Sequence, residues 1–539
     1  MIYNLPKPWN EPVYSYSLVS PERELLKKEL DRQLNTAVEI PLIIGGKEIR
    51  KGTVKEIRCP HDHGKVLGTY FEATENEIEL AVKAAIAAKE KWKKMAWSDR
   101  AAVFQKAASL ISTKYRYILN AATMLGQSKN VHQAEIDATC ETADFLRFNS
   151  YFMQEIYKEQ PQYETHIWNR MEYRPLEGFV FAVSPFNFTA IGANLPTAPA
   201  MMGNTVVWKP ASTSILSNYY FMQLLMEAGI PDGVINFLPS KGSVVSKIVF
   251  NDPDFAGIHF TGSTGVFNSM WKTISGNIEN YRTYPRIVGE TGGKDYVFVD
   301  KSADMKAAAT GIIRAGFEYQ GQKCSACSRV YAPSSKWAEL KELLTEMVSR
   351  IKMGDVTDFT NFMNAVIDEA AFDSTMKYID IAKNSKEAEI LYGGNGNKTK
   401  GYFIEPTIVV TENPHFITME EEIFAPVVTV YVYDDNNLET ALDLVDNTSP
   451  YALTGAVFAR GRDTLVEISE RLSETAGNFY INDKCSGAVV GCQPFGGSRA
   501  SGTNDKAGSH LNLLRWTSPR TIKENFAPPK DFEYPWMQE

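Results

Sequence analysis

Cysteine is scarce in this chain: six are scattered over 539 residues, at positions 59, 140, 324, 327, 485 and 492. That is too few for a disulfide scaffold and points to a compartment that keeps thiols reduced. No apolar run approaches the ~18 residues a membrane helix needs, so no membrane partner is expected. Basic charge is not in excess. Lys and Arg total 56 against 65 Asp and Glu, a formal net charge of −9. No basic stripe carries interleaved aromatics, which argues against nucleic acid. Internal repeats and low-complexity tracts are also missing, and no G-x-G-x-x-G follows a strand-like run. The amino-terminal residues 1–12 lack the basic and apolar regions of a secretion signal and the Arg-rich, acid-poor character of a mitochondrial leader. The expected location is cytoplasmic, or the mitochondrial matrix if the chain is a processed eukaryotic protein.

What is present is length and pattern. A chain of 539 residues exceeds one ordinary core, so two or three domains are expected. A charged helix is predicted over residues 21–34 and a short strand over 41–46. Thr74-x-x-Glu77 forms a capping box that opens a helix with Ile78, Ala81, Val82, Ala85 and Ile86 on one face. Further helices are predicted from about Ser98 and over 134–151. From Gly178 the pattern changes. Residues 178–185, 204–210, 234–239 and 257–263 are continuous apolar runs, with a helix at 213–228 among them, as in strands buried on both faces. A second run comprises 294–300, a helix at 303–318, 427–434 and 477–483. Alternation of this kind implies an α/β fold with parallel, doubly wound sheets. Residues 165–174 and 513–524 read as two further strands able to pair.

Chemistry concentrates in two motifs. Phe317-Glu-Tyr-Gln-Gly-Gln-Lys-Cys-Ser-Ala-Cys-Ser328 puts Cys324 in a Gly- and Gln-rich turn after a helix-like segment. Gly289-Glu-Thr-Gly-Gly-Lys294 puts Glu290 beside two glycines that admit a ligand close to the backbone. A thiol nucleophile and a nearby base are the minimum for covalent catalysis on a carbonyl. An unperturbed thiol has a pKa of about 8.5, so its setting or a base must generate the thiolate. Taken alone, a cysteine is as often a packing residue, and most acidic residues are simply solvated. Cys327 makes a Cys-x-x-Cys with Cys324, which leaves a thiol-redox pair or half a zinc site as readings from another class. Zinc needs a second pair of ligands. Cys485 and Cys492 are not at a usual ligand spacing, and His61 and His63 lack a third partner, so no metal is expected.

Together the two motifs resemble the aldehyde dehydrogenase superfamily. Gly321-Gln-Lys-Cys-Ser-Ala326, Asn482-Asp-Lys484, Gln493-Pro-Phe-Gly-Gly497 and Ser501-Gly-Thr-Asn-Asp505 are most similar to its glutamate-γ-semialdehyde branch. The resemblance implies two Rossmann-like doubly wound domains and a small β oligomerisation domain. It assigns residues 1–165 and 176–288 to NAD binding and 289–508 to catalysis. Residues 166–175 and 509–539 become an oligomerisation hairpin and C-terminal strand, so a homo-oligomer, at least a dimer, is expected. The implied reaction is NAD-dependent oxidation of L-glutamate γ-semialdehyde, derived from Δ1-pyrroline-5-carboxylate, to L-glutamate. That is the second step of proline catabolism and implies a functional link to a proline dehydrogenase. Another small acid semialdehyde is the nearest alternative substrate.

The resemblance also implies roles. Cys324 is the nucleophile and Glu290 the base that activates water to cleave a thioester. Asn187, in Ser184-Pro-Phe-Asn-Phe188 at the carboxyl end of a strand, donates to the oxyanion. For the cofactor, Gly262 and Ser263 follow a strand and open a helix whose free N–H groups suit a pyrophosphate. Lys209 reaches the adenosine ribose. Glu422 holds the nicotinamide ribose with Phe424 beside the ring, and Ser184 and Pro185 complete the cleft. Many relatives carry an acidic residue where this chain has Ser212, so NAD is expected with NADP left open. For the substrate, the Ser325 hydroxyl and the backbone N–H groups of Gly487 and Ala488 grip the carboxylate. Phe188 and Phe495 wall the methylenes, and Glu141 receives the ammonium.

Overall fold

The continuous apolar runs become the central strands of two seven-stranded sheets. The computed structural model describes residues 4–538. In the first sheet the neighbours are Arg286–Glu290, Phe255–Thr261, Phe179–Val183, Val206–Lys209 and Ile235–Phe237, all parallel, followed by antiparallel Leu42–Ile44 and Lys47–Ile49. Every residue of Phe179–Val183 is buried, which explains why the run shows no polar alternation. The second sheet runs Ala388–Tyr392, Thr407–Thr411, Val427–Tyr433, Cys327–Pro333, Asp295–Val299, Thr454–Phe458 and Asn478–Ile481, parallel except for its first strand. Two doubly wound sheets are therefore present, as the alternation predicts.

The predicted pairing of the outlying strands also forms. Ile167–Pro175 and Thr517–Asn525 make an antiparallel ribbon, in register from Ile167 with Asn525 to Pro175 with Thr517. The capping box at Thr74 closes in both directions and starts the helix Glu75–Lys94. Ile78, Ala81, Val82 and Ala85 are buried there, but Ile86 is 37% exposed, beyond the edge of the apolar face.

Two segments differ from expectation. Residues 38–72 hold a three-stranded sheet of Val38–Ile40, Asp62–Glu72 and Thr53–Cys59. Residues 134–151 are not one regular helix: Val131–Ala134 leads into a π-helical stretch, Glu135–Glu141, and then into the α-helix Thr142–Lys158. The widened turn carries two buried carboxylates, Glu135 on Arg116 and Asp137 on Lys129.

Candidate active site

Cys324 sits where a helix is forced to reverse. The helix Met305–Phe317 ends at Glu318, and Tyr319, Gln320 and Gly321 follow with φ of +52°, +56° and +66°. Two successive non-glycine residues in the left-handed region are costly and persist only when the surroundings fix them. The fixing is done by Gln320. Its Nε2 donates to Ser128 O at 3.0 Å and Ala365 O at 2.8 Å, and its Oε1 accepts from Asn364 N–H at 3.0 Å. Gln322 Oε1 accepts from Ile367 N–H at 2.9 Å. The turn is thereby locked from both sides, and Cys324 emerges from it 9% exposed, just before the strand Cys327–Pro333. A Cβ on Gly293 would lie 2.1 Å from Cys324 O, so only glycine lets the Glu290 motif pass beneath the nucleophile.

Asn187 meets the same turn: its Nδ2 donates to Gln322 O at 3.1 Å, leaving its second N–H available to an oxyanion beside the sulfur. Glu290 ends the strand Arg286–Glu290, where its Oε2 accepts from Gly497 N–H at 3.3 Å. Burial pushes its carboxyl well above the ordinary range, and Asp505 adds to the shift. The Cys324 thiol is pushed well up by burial, and then by Asp295, Glu422 and Glu290. Three carboxylates therefore face one sulfur.

Ser184, Lys209 and Ser263 stand at or just after the carboxyl ends of first-sheet strands, whereas Glu422 and Phe424 precede the second-sheet strand Val427–Tyr433. Ser263 is the N-cap of the helix Thr264–Gly276 and makes no side-chain cap, so the helix's first N–H groups are open. Gly262 N–H donates to Glu290 O at 3.2 Å, tying this helix start to the base. Lys209 Nζ donates to its neighbour's carbonyl, Pro210 O, at 3.3 Å, and burial pushes its ammonium down to about 8. Glu422 Oε1 accepts from Gly293 N–H at 2.9 Å, and burial pushes this carboxyl up to about 7. Phe424, at φ +60°, packs edge-on against Phe186 with ring centroids 5.8 Å apart. An open helix start, a half-partnered lysine and a buried carboxylate with one donor fit the pyrophosphate and two riboses of a dinucleotide. Ser184 departs from this pattern. Its hydroxyl accepts from Trp208 Nε1 at 2.7 Å and donates to Gly192 O at 3.2 Å, so its side chain braces the strand ends. Pro185 follows it, half-buried, and its carbonyl accepts from the Ser214 hydroxyl at 3.4 Å.

On the substrate side, Ser325 is buried beside the nucleophile and its carbonyl lies 3.5 Å from Cys485 Sγ, joining the turn to residues 483–488. Gly487 there has φ +89° and is exposed, while Ala488 is half-buried. Phe188 lies under the Lys129 ammonium at 4.0 Å, and Phe495 pairs with Ala507. Glu141 closes the π-helical stretch, half-buried, and burial and then Asp137 push its carboxyl up to about 8.

Several charged residues here escaped sequence reasoning. Lys129 and Asp137 form a fully buried pair at 2.7 Å. Asp137 also accepts from Thr189 N–H and Ala190 N–H at 3.0 and 2.8 Å, capping the helix that follows Asn187 and Phe188. Glu318, Lys323 and Lys484 form a second cluster. All three stood in quoted motifs, Glu318 and Lys323 beside the nucleophile and Lys484 in Asn482-Asp-Lys484, but none was given a role.

Comparison with known proteins shows the family and the fold. The model of the aldehyde dehydrogenase family matches residues 49–522. The mitochondrial delta-1-pyrroline-5-carboxylate dehydrogenase of Dictyostelium discoideum is 53% identical over 537 residues, covering 99% of this chain and 96% of that protein. The crystal structure of the Mycobacterium tuberculosis delta-pyrroline-5-carboxylate dehydrogenase bound with NAD superposes with a TM-score of 0.97 at 47% identity, covering 100% of both chains. Proline utilization A from Bdellovibrio bacteriovorus matches with a TM-score of 0.91 at 31% identity, over 98% of this chain and 55% of that one.

Proposed function

The chain belongs to the aldehyde dehydrogenase family, and from that premise we propose how it works as an NAD-dependent L-glutamate γ-semialdehyde dehydrogenase. It takes the open form of Δ1-pyrroline-5-carboxylate to L-glutamate, the second step of proline catabolism. The observation that carries the reading is one sulfur set among groups for an amino-acid head. The Cys324 turn contacts residues 483–488 through Cys485 and Ser325, and Glu141 stands on the stretch that caps the Asn187 segment.

Bound NAD supplies the hydride acceptor, held by the helix start at Gly262 and Ser263, by Lys209 and by Glu422. The rest falls to the chain. Ser325 and the N–H groups of Gly487 and Ala488 hold the carboxylate, Glu141 meets the ammonium, and Phe188 and Phe495 exclude water from the methylenes. Cys324 Sγ bonds to the aldehyde carbon while the Asn187 amide and the Cys324 N–H take the oxyanion. Once the carbon is oxidised the acyl group stays on sulfur as a thioester. Glu290 then draws a proton from water, which cleaves it; burial raises this carboxyl and so makes it a stronger proton acceptor.

We further propose a homo-oligomer assembled through the ribbon of Ile167–Pro175 and Thr517–Asn525, supplied with substrate by a proline dehydrogenase. The proposed compartment is one that keeps thiols reduced, the cytoplasm or the mitochondrial matrix. The test is NADH production with glutamate γ-semialdehyde, succinate semialdehyde and pentanal. The first should give the highest kcat/KM, and Cys324→Ala should abolish turnover while still binding NAD. Preference for succinate semialdehyde, or turnover by Cys324→Ala, would overturn the assignment.

A further inference from the structure

Near the nucleophile stand three charged residues that the chemistry above does not use. Glu318 ends the helix before the turn. Its Oε2 accepts from Lys323 Nζ at 3.0 Å and from Lys484 Nζ at 2.9 Å, and its Oε1 lies 3.2 Å from Lys484 Nζ. The side chains of Glu318, Lys323 and Lys484 are 7%, 4% and 25% exposed. Burial alone would raise the Glu318 carboxyl, but the two lysines overcome it and hold it down at about 2. One carboxylate thus serves two ammonium groups, and the cluster keeps an excess of one positive charge.

The two lysines come from distant segments of the chain. Lys323 directly precedes Cys324, and Lys484 lies on residues 483–488, which carry Gly487 and Ala488. A Cβ built on Gly487 would lie 3.3 Å from Lys484 Cε and 3.5 Å from Lys484 Nζ. The ammonium therefore lies directly against the glycine whose N–H faces the substrate's carboxylate. Burying such a cluster is weak support for stability by itself, because desolvation offsets the attraction. Its location is better explained by binding.

We propose that Lys484, held by Glu318, is a positioning residue for carboxylate-bearing substrates. It fixes the Gly487 segment against the Cys324 turn and places the cluster's surplus positive charge behind the carboxylate-binding N–H groups. The inference rests on reading the chain as an acid-semialdehyde dehydrogenase. A unit charge a few ångströms behind a half-exposed anion site changes affinity by about tenfold, and does nothing for a neutral aldehyde.

The experiment compares glutamate γ-semialdehyde with pentanal, of equal chain length but uncharged, in the wild-type protein and in Lys484→Met, Lys484→Gln and Lys484→Arg. The ratio of kcat/KM for the acid to that for pentanal should fall about tenfold in Lys484→Met and Lys484→Gln, carried by KM, and recover in Lys484→Arg. Added salt should erode the acid preference of the wild type more than that of Lys484→Met. A ratio that stays within about twofold, or an equal loss on both aldehydes, overturns the proposal; Lys484→Gln answers if Lys484→Met does not fold. If the wild type oxidises another acid semialdehyde in place of the glutamate one, the assigned substrate falls, and the same comparison with that acid still decides the role of Lys484.

Discussion

Replacing Asp137 by asparagine leaves a buried ammonium without its counter-charge. Asp137 and Lys129 are both 0% exposed and 2.7 Å apart. The Lys129 ammonium also faces the rings of Phe188 and Tyr319 at 4.0 and 4.5 Å, but those contacts exist with or without Asp137 and do not offset its loss. Removing one partner of a buried pair costs about 3–5 kcal/mol, and weakening the cap on Thr189 and Ala190 adds about 1 kcal/mol. Glu141 also faces Lys129 and takes over part of the charge, so the expected net loss is about 3 kcal/mol. The measurement is calorimetric unfolding of Asp137→Asn beside hydrogen exchange of the amides in Thr189–Met201, which should lose protection first. The pH dependence has a definite sign. Burial already holds Lys129 below the ordinary lysine range against the pull of Asp137, and the variant lowers it further. Between the folded and unfolded pKa values the unfolded chain binds more protons, so the penalty is full below the folded pKa and shrinks as pH rises from there towards that of a free lysine. Adding Lys129→Met to Asp137→Asn removes the lone charge and should restore most of the stability. A stable single variant, or one whose stability falls as pH rises, would refute the argument.

Glu290→Gln should keep a pre-steady-state burst of NADH while slowing steady-state turnover by about 10²–10⁴-fold, because thioester hydrolysis loses its base. In the wild type that hydrolysis should quicken as pH rises through the raised Glu290 pKa, a rise the variant lacks. Glu422→Gln should weaken NAD binding about tenfold by titration calorimetry, since a charged acceptor of the ribose hydroxyls is replaced by a neutral one. With the Glu422 carboxyl at about 7 in the free protein, wild-type affinity should climb between pH 6 and 8, and a flat profile would remove it from the cofactor site.

What could be read from the sequence was whatever is local. The strand runs were legible because a strand buried on both faces has no polar residues to confuse it. Cys324, Glu290 and Asn187 each stand in a short motif whose neighbours, glycines above all, are dictated by the same backbone path. The sheet of residues 38–72 was not legible: Thr53–Cys59 exposes most of its side chains, so no apolar alternation marks it. The helix Arg116–Gln127 hid for the opposite reason, because it buries Arg116, Asn120, Thr123 and Gln127 as well as its apolar residues. The charge clusters were out of reach. Glu318 and Lys484 are 166 residues apart, and Asp137 meets Lys129 only because a helix drawn as regular is a π-helix there.

The electrostatics of Cys324 bear on when its proton leaves. Burial comes first, then Asp295, Glu422 and Glu290, and all of them push the thiol up. The nearest lysine in the Glu290 motif gives little relief: Lys294 is fully buried, makes no hydrogen bond through Nζ, and is pushed down to about 7 by burial and Arg329. The resting sulfur is therefore a protonated thiol. Oxidation follows thiolate character and exposure, so such a sulfur is protected between turnovers. The same protection delays chemistry until the proton leaves the sulfur, and a higher pH favours that departure. The rate of the wild-type burst, and not only the steady state, should rise with pH above neutrality; a burst indifferent to pH would mean that the thiolate is already formed in the complex.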